Sequence, residues 1–487
     1  MVLTFNCDII FSNLNWMTGV ISLNDANTTA VILAAGKGTR MKSKIPKVLH
    51  EVCNKPLLWH ILTAAQSVTD KQTVVTGYGR EKVENFLKEK FDDKNLTTTI
   101  QERQMGTGHA VVCAKNQLNS PHTMVLLGDT PLITDQELSG LKKYHVDNAS
   151  AATILTITEN DPHGYGRIIR DKDGFVKKIV EEADATPQEK DINEINTGLM
   201  IFETEKLLFA LDKLDSENNQ GEYYLTDVIN ILYQTGECVL GYQIEKTYRA
   251  LGVNDRAELA RAEKIKRQEI NNEFMYCGVT IKDPESTYID PEISIGYDTV
   301  IYPNTYLTGD TRIGTNCEIG PEVQISDSFI GDGCKVKKSQ ITDSILEDEV
   351  SIGPYAQIRP GTTIGSKAKI GNFVEVKNSS IGENTKANHL AYIGDADIGS
   401  NVNMGAGSVI VNYDGQIKHR TVIEDGAFVG CNSNLVAPVT IKTNAFVAAG
   451  STVTENIPED SLGIARCRQT NKEDWVTKKM GRGYSDG

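Results

Sequence analysis

The nine cysteines of this 487-residue chain include no CxxC pair and no spacing that reads as a disulfide framework, which suits a reducing, cytoplasmic setting. Its eight histidines are scattered without an HxxxH, so no zinc site is legible. No apolar run is long enough to span a membrane. Positive charge is also short: 50 Lys and Arg face 65 Asp and Glu, a formal net charge of −15. That balance argues against a nucleic-acid surface or an anionic membrane as partner, and any phosphate ligand must be held by a few local Arg and Lys residues. Residues 1–27 contain no Lys or Arg, so the basic start of a secretory signal is missing. They fit nothing that follows and read as a disordered extension or an upstream start, with Met17 as the alternative first residue.

What the chain has in quantity is a six-residue beat. Ile289, Ile295, Ile301, Leu307, Ile313, Ile319 and Ile325 fall six apart. The beat resumes at Ile352, Ile358, Ile364, Ile370 and Val376, and again at Ile423, Val429, Leu435, Ile441, Val447 and Val453. Neither a helix nor a hairpin has that period, so a coiled parallel β-structure is expected, each hexapeptide one flat side with its aliphatic residue inward. Glycines that follow many of these aliphatics, among them Gly296, Gly314, Gly320, Gly353, Gly365, Gly371 and Gly430, are expected at corners whose backbone angles disfavour a Cβ. Three sides per coil give a triangular prism, the left-handed parallel β-helix of hexapeptide-repeat proteins. A chain of this length exceeds one core, so further folded units are expected.

The N-terminal half alternates β-rich runs with helical ones. The stretches at 30–36, 73–78, 96–102, 123–129 and 151–158 are continuously apolar or β-branched, as buried strands are. Helices are expected at 56–66, 80–91 and 106–118, and from a capping box at Thr134–Glu137. Such alternation predicts a mostly parallel, Rossmann-like α/β sheet with ligands at the carboxyl ends of its strands. Two of those ends carry chemistry. After the first strand come Gly36, Gly38, Thr39 and Arg40, then Lys47. Glycines there let backbone N–H groups approach a phosphate chain, and a helix N-terminus beyond would favour anions. The loop lacks GKS/T and the third glycine of a dinucleotide fingerprint, and a glycine pair alone marks a turn as readily as a site. The other end is Asp129, closing an apolar strand, where a carboxylate serves either as a turn cap or as a magnesium ligand.

These motifs, LAAGKGTRM with a following PK, then QxxQxGTGHA, LGDTPL, PHGYGR, KIVEEADAT, EINTG, QGEYYLTD and GVND, resemble the sugar-nucleotide pyrophosphorylases in order and spacing. More closely, they resemble the uridylyltransferase half of the bifunctional UDP-N-acetylglucosamine pyrophosphorylase/glucosamine-1-phosphate N-acetyltransferases. The resemblance implies that Leu33, Ala34, Ala35, Gly36, Gly38, Thr39, Arg40, Lys47 and Asn254 bind UTP or UDP-N-acetylglucosamine, with the Gly36–Arg40 loop and Lys47 on the phosphates. It gives Gln101, Gln104, Gly106 and Thr107 to the uracil, and Gly166, Glu181, Asn196 and Thr197 to the N-acetylglucosamine ring. Asp129 and Asn254 would coordinate Mg2+.

Asn254 and Asp255 can cap a helix running to about Met275, whose narrow stripe of Leu259, Ala262, Ile270 and Phe274 suits an arm between domains. The expected organisation is an extension (1–27), a uridylyltransferase domain (28–252), a helical linker (253–276), a β-helix acetyltransferase domain (277–460) and a basic tail (461–487). The prism too resembles that bifunctional family, through RPGT, GNFVEVK, HLAYIGDADIG, VNMGAG, NYDG, LVAP and AAGSTV. By that resemblance His389 is the general base for acetyl transfer, and Arg359, Lys377, Tyr392 and Asn403 bind glucosamine 1-phosphate. Ala406, Asn412, Tyr413, Ala449 and Arg466 would contact acetyl-CoA, as would Cys431, which stands where the family usually has serine. A homotrimer with shared acetyl-transfer sites is implied, as is supply of UDP-N-acetylglucosamine for peptidoglycan and lipopolysaccharide. The rival enzyme reading is a pyrophosphorylase whose prism only oligomerises. A β-helix scaffold would leave the phosphate loop and Asp129 unexplained.

Overall fold

The computed structural model describes residues 27–91 and 94–480; the extension before Asn27, with Met17, and the tip of the tail lie outside the described residues. Two compact units, Met1–Lys266 and Arg267–Gly487, divide within the helix Arg256–Tyr276.

In the first unit seven strands form the path of one sheet, in the order Val239–Gln243, Ala152–Thr158, Glu194–Glu203, His122–Leu127, Thr28–Ala34, Lys71–Thr76 and Leu96–Ile100. All pairs on this path are parallel except those made by Glu194–Glu203, which runs antiparallel to both neighbours. Helices cover both faces, so consecutive residues such as Val31 and Ile32, or Val74 and Val75, are all buried. The central strands therefore read as unbroken apolar runs rather than alternating ones. Each layer of core uses every second residue: Ile32, Val74 and Met124 on one face, Val31, Val75 and Val125 on the other. The capping box at Thr134 and Glu137 is formed and opens the helix Asp135–Asp147.

One expectation near the glycine loop fails. The segment after Gly38 makes only a three-residue 3-10 turn, Thr39–Met41, and the next α-helix starts at Leu57. No helix dipole stands behind the loop, so an anion there would rest on backbone N–H groups, Arg40 and Lys47. Gly38 itself is required twice over: its φ is 57°, and a Cβ would lie 2.5 Å from the Cβ of Lys47.

The second unit is the expected prism, a left-handed parallel β-helix of three parallel sheets with 11, 10 and 9 strands. Ile289, Leu307 and Ile325 are successive partners across coils, and Ile295 pairs Ile313 as Ile301 pairs Ile319. Every aliphatic of the beat is buried, none more than 8% exposed. The glycines need a different explanation from the expected one. Only Gly320 and Gly353 of those named have positive φ. At Gly296, Gly365, Gly371 and Gly430 the demand is for space, since a Cβ would lie within 2.8 Å of the next coil's backbone. The left-handed corners are taken instead by residues such as Asn316, Asp343, Asn378 and Asp395, and by bulky Tyr355, Phe373 and Leu390. Asn and Asp tolerate that conformation because their short polar side chains bond locally.

Candidate functional sites

The loops at the carboxyl ends of the sheet strands bring most of the first residue set together. Gly128 N donates to Leu33 O (3.0 Å) and Tyr78 N to Ala35 O (3.1 Å), which fixes the backbone around Ala34 and Ala35. Nothing stands within 4 Å of where a Cβ would sit on Gly36, so the loop is open there. The Lys47 ammonium bonds the Asp129 carboxylate and, at 2.9 Å, the Asn254 Oδ1, which also accepts from Arg40 at 2.9 Å. Two cations and the two expected metal ligands thus meet in one cluster. Asp129 Oδ1 is buried and has no hydrogen-bond partner. That orphaned oxygen, with the hard carbonyl of Asn254, fits Mg2+, which takes few protein ligands and leaves the rest to water and phosphate. Among the described residues no group of three His, Cys, Asp or Glu could hold a metal by itself.

Gln101 Nε2 donates to Gly106 O (3.0 Å), and Gln104 Nε2 lies against Gly77. Gly106 has φ 101°, and a Cβ would meet Tyr223 O at 2.5 Å, so the turn closes only with glycine. Thr107 is the first residue of the helix Thr107–Cys113, and its hydroxyl accepts from Leu225 N. The expected helix over 106–118 stops at Cys113 and continues as a 3-10 turn, Lys115–Gln117.

Gly166, Glu181 and Asn196 also meet. Asn196 N donates to Gly166 O (2.8 Å), and a Cβ on Gly166 would approach Glu181 Oε2 at 3.5 Å. Burial pushes the Glu181 carboxyl up, against a 3.0 Å hydrogen bond from Thr226. Thr197 is turned away, its hydroxyl donating to Leu155 O (2.6 Å). Two neighbours were not singled out in the sequence. Tyr165 is pushed up by burial first, then by the charges of Glu258 and Glu159, while Arg40 opposes. Asp227 is pushed up to about 6 by burial and by Asp215 and Asp184. Both lie inside motifs of the resemblance, PHGYGR and QGEYYLTD, which was the only signal for them.

On the prism the second residue set divides between two edges of one flat side, the side of strand Tyr392–Gly394. At the edge that precedes it, His389 Nδ1 is 2.5 Å from Asn372 Oδ1, and successive coils place Ala406, Cys431, Ala449 and Arg466 along the same corner. Cys431 is exposed. At the far edge lie Arg359, Lys377 and, from outside the sequence-derived set, Lys418. Arg359 bonds Glu375 at 2.7 Å. Crowding by Lys418, then partial burial and the Arg359 charge, hold the half-buried Lys377 below the ordinary lysine value. Asn412, expected at acetyl-CoA, is buried at this far edge and donates to Asp395 Oδ2 (2.5 Å), while Asn378 donates to Oδ1. Burial works against the Asp395 carboxylate, yet those two amides and the Lys418 and Lys377 charges hold its pKa below the usual range. Asn403 faces outward on the adjoining side, one coil after Lys386. Tyr413 and Lys418 pair in a small hairpin that grows out of the coil, and this carries Lys418 back toward Lys377.

An open nucleotide-type sheet with a cation-and-carboxylate cluster, followed by a hexapeptide prism with a histidine edge, defines a two-domain transferase. The nucleotidyl transferase family matches residues 29–251, the left-handed β-helix domain of EIF2B subunit epsilon matches 272–376, and the hexapeptide repeat of succinyl-transferase matches 420–455. The bifunctional protein GlmU of Halalkalibacterium halodurans is 50% identical over 93% of this chain and 99% of its own. The GlmU proteins of Shouchella clausii and Caldanaerobacter subterraneus subsp. tengcongensis are 50% and 51% identical, each over 93% of this chain and 99% and 98% of their own. A solved UDP-glucose pyrophosphorylase aligns with 50% of this chain and 99% of its own at 18% identity and a TM-score of 0.43, too slight a likeness to add to the fold. The chain belongs to the GlmU family of bifunctional enzymes.

Proposed function

We propose that the loop cluster on the sheet transfers UMP from UTP to N-acetylglucosamine 1-phosphate, and that the prism acetylates glucosamine 1-phosphate with acetyl-CoA. The protein is a bifunctional transferase, N-acetylglucosamine-1-phosphate uridylyltransferase and glucosamine-1-phosphate N-acetyltransferase, and its product serves cell-wall synthesis. Membership of a bifunctional family favours this over a pyrophosphorylase with an idle prism.

The observation that carries the first reaction is the meeting of Asp129, Asn254, Lys47 and Arg40. A sugar 1-phosphate is already an anionic nucleophile, so in-line attack on the α-phosphorus needs positioning and positive charge more than a base. Arg40 and Lys47 would receive the pyrophosphate as it leaves with extra charge. Asp129 and Asn254 would hold Mg2+, which when bound offsets phosphate charge. Gln101 and Gln104 would read the base, and Glu181 and Asn196 the sugar.

In the second reaction an ammonium has no lone pair, so the glucosamine amine must lose a proton before it attacks the thioester, and a further proton as the amide forms. His389 would accept it. Arg359, Lys377 and Lys418 would clamp the phosphate at the far edge, with Tyr392 between. The spread of the set over two edges and the adjoining side suits a homotrimer with shared sites. A cytoplasmic location suits UTP and acetyl-CoA as co-substrates; among the described residues no helix is long and apolar enough to cross a membrane.

The test follows thiol release and pyrophosphate release separately. Asp129→Ala is expected to stop pyrophosphate release with thiol release intact, and His389→Ala the reverse when N-acetylglucosamine 1-phosphate is supplied. Loss of both products in either folded variant would overturn this division.

A further inference from the structure

The first turns of the helix Arg256–Tyr276 hold the segment that begins at Lys47. Arg256 NH1 donates to His50 Nδ1 at 3.2 Å. Seven residues on, and so two turns along the same face, Glu263 Oε2 accepts from Cys53 N at 2.5 Å, with its other oxygen 3.8 Å from Cys53 Sγ. Cys53 and Asn54 form the turn of a short hairpin between Glu51–Val52 and Lys55–Pro56, with φ of 48° and 56°. Two successive left-handed residues, neither of them glycine, are an uncomfortable turn that persists when its surroundings hold it.

This hairpin is tied back to Lys47. Leu57 N donates to His50 O (2.8 Å), His60 Nε2 meets Val52 O (2.9 Å), and His50 N donates to Lys47 O (3.2 Å). Lys47 then reaches Asp129 and Asn254. The same helix start fixes Asn254, whose N–H bonds Glu258 Oε2 while Asp255 caps the helix at Ala257 N and Glu258 N. Both halves of the phosphate cluster are therefore referenced to one rigid element.

We propose that Glu263 is a positioning residue for uridylyl transfer: by holding the Cys53 N–H it sets the hairpin, and through it the Lys47 ammonium, over the phosphate site. The proposal rests on Lys47, Asp129 and Asn254 being that site. A backbone N–H needs one acceptor oxygen, which glutamine supplies and alanine does not.

The test uses the full chain with Glu263→Ala and Glu263→Gln, and UTP and N-acetylglucosamine 1-phosphate varied in turn. Glu263→Ala is expected to raise the KM for UTP about tenfold and leave the KM for the sugar phosphate and acetyl transfer unchanged. Glu263→Gln should stay within about twofold of the parent. An unchanged KM for UTP in the alanine variant, an equal rise in both KM values, loss of acetyl transfer as well, or a glutamine variant as impaired as alanine would each overturn it. Asp129→Ala separates the two levels: full uridylyl transfer in that variant removes the phosphate site itself, whereas its loss alongside a normal Glu263→Ala removes only the clamp.

Discussion

The His389 imidazole Nδ1 lies 2.5 Å from Asn372 Oδ1, the residue paired with it on the preceding coil. An amide oxygen only accepts, so the proton sits on Nδ1 and the lone pair on Nε2. Acting as the proposed base, His389 would offer Nε2 to an amine without changing its tautomer. Asn372→Ala is therefore expected to lower kcat for acetyl transfer about tenfold, and His389→Ala by about 10²–10⁴, with uridylyl transfer unchanged in both. Steady-state thiol release checks the ranking.

Lys418 supplies a third cation at the far edge of that side, beside Lys377 and Arg359. Lys418→Ala should raise the KM for glucosamine 1-phosphate about tenfold with little change in the KM for acetyl-CoA. Equal changes in both would place Lys418 outside the phosphate clamp.

Acid should loosen the first unit. Burial holds His60 down to about 4 and His145 down to about 3, below the ordinary value of 6.5. Between those values the unfolded chain binds protons that the folded one refuses, so stability is lost as pH falls below about 6.5. The slope approaches about 1.4 kcal/mol per pH unit for each histidine. The urea midpoint of uridylyl-transfer activity is expected to drop from about pH 7 to about pH 5. His145→Gln should flatten that drop.

Cys431 is exposed on the edge that carries His389 and Ala449. Acetyl transfer is expected to be lost on thiol alkylation and acetyl-CoA to protect against it, with Cys431→Ser resistant. A serine variant that is inactivated as fast as the parent would move the reactive thiol elsewhere.

The prism was legible because its period is local: each aliphatic at six-residue spacing reports its own burial, and the structure buries them all. The proposed phosphate cluster was legible from motif order, since Arg40 and Lys47, Asp129, and Asn254 come from three separate stretches that only the fold unites. Lys418 was not, because it stands in a hairpin that interrupts the beat, and nothing in the spacing returns that hairpin to Lys377. Most of the glycines, Gly320 and Gly353 apart, were found for the wrong reason. A tight backbone angle and a close neighbouring coil both favour glycine, and at Gly371, with Asn388 O against it, the neighbour decides.

That hairpin shows how this architecture changes length. Ala396 pairs with Thr421 and Ile398 with Ile423 despite the intervening outgrowth. Each turn of the spiral reads its alignment from the turn beneath it rather than from residue count. New chain can thus be spliced in at a corner without rotating the remaining rungs, whereas one residue gained or lost within a flat would turn the aliphatic on that flat toward water.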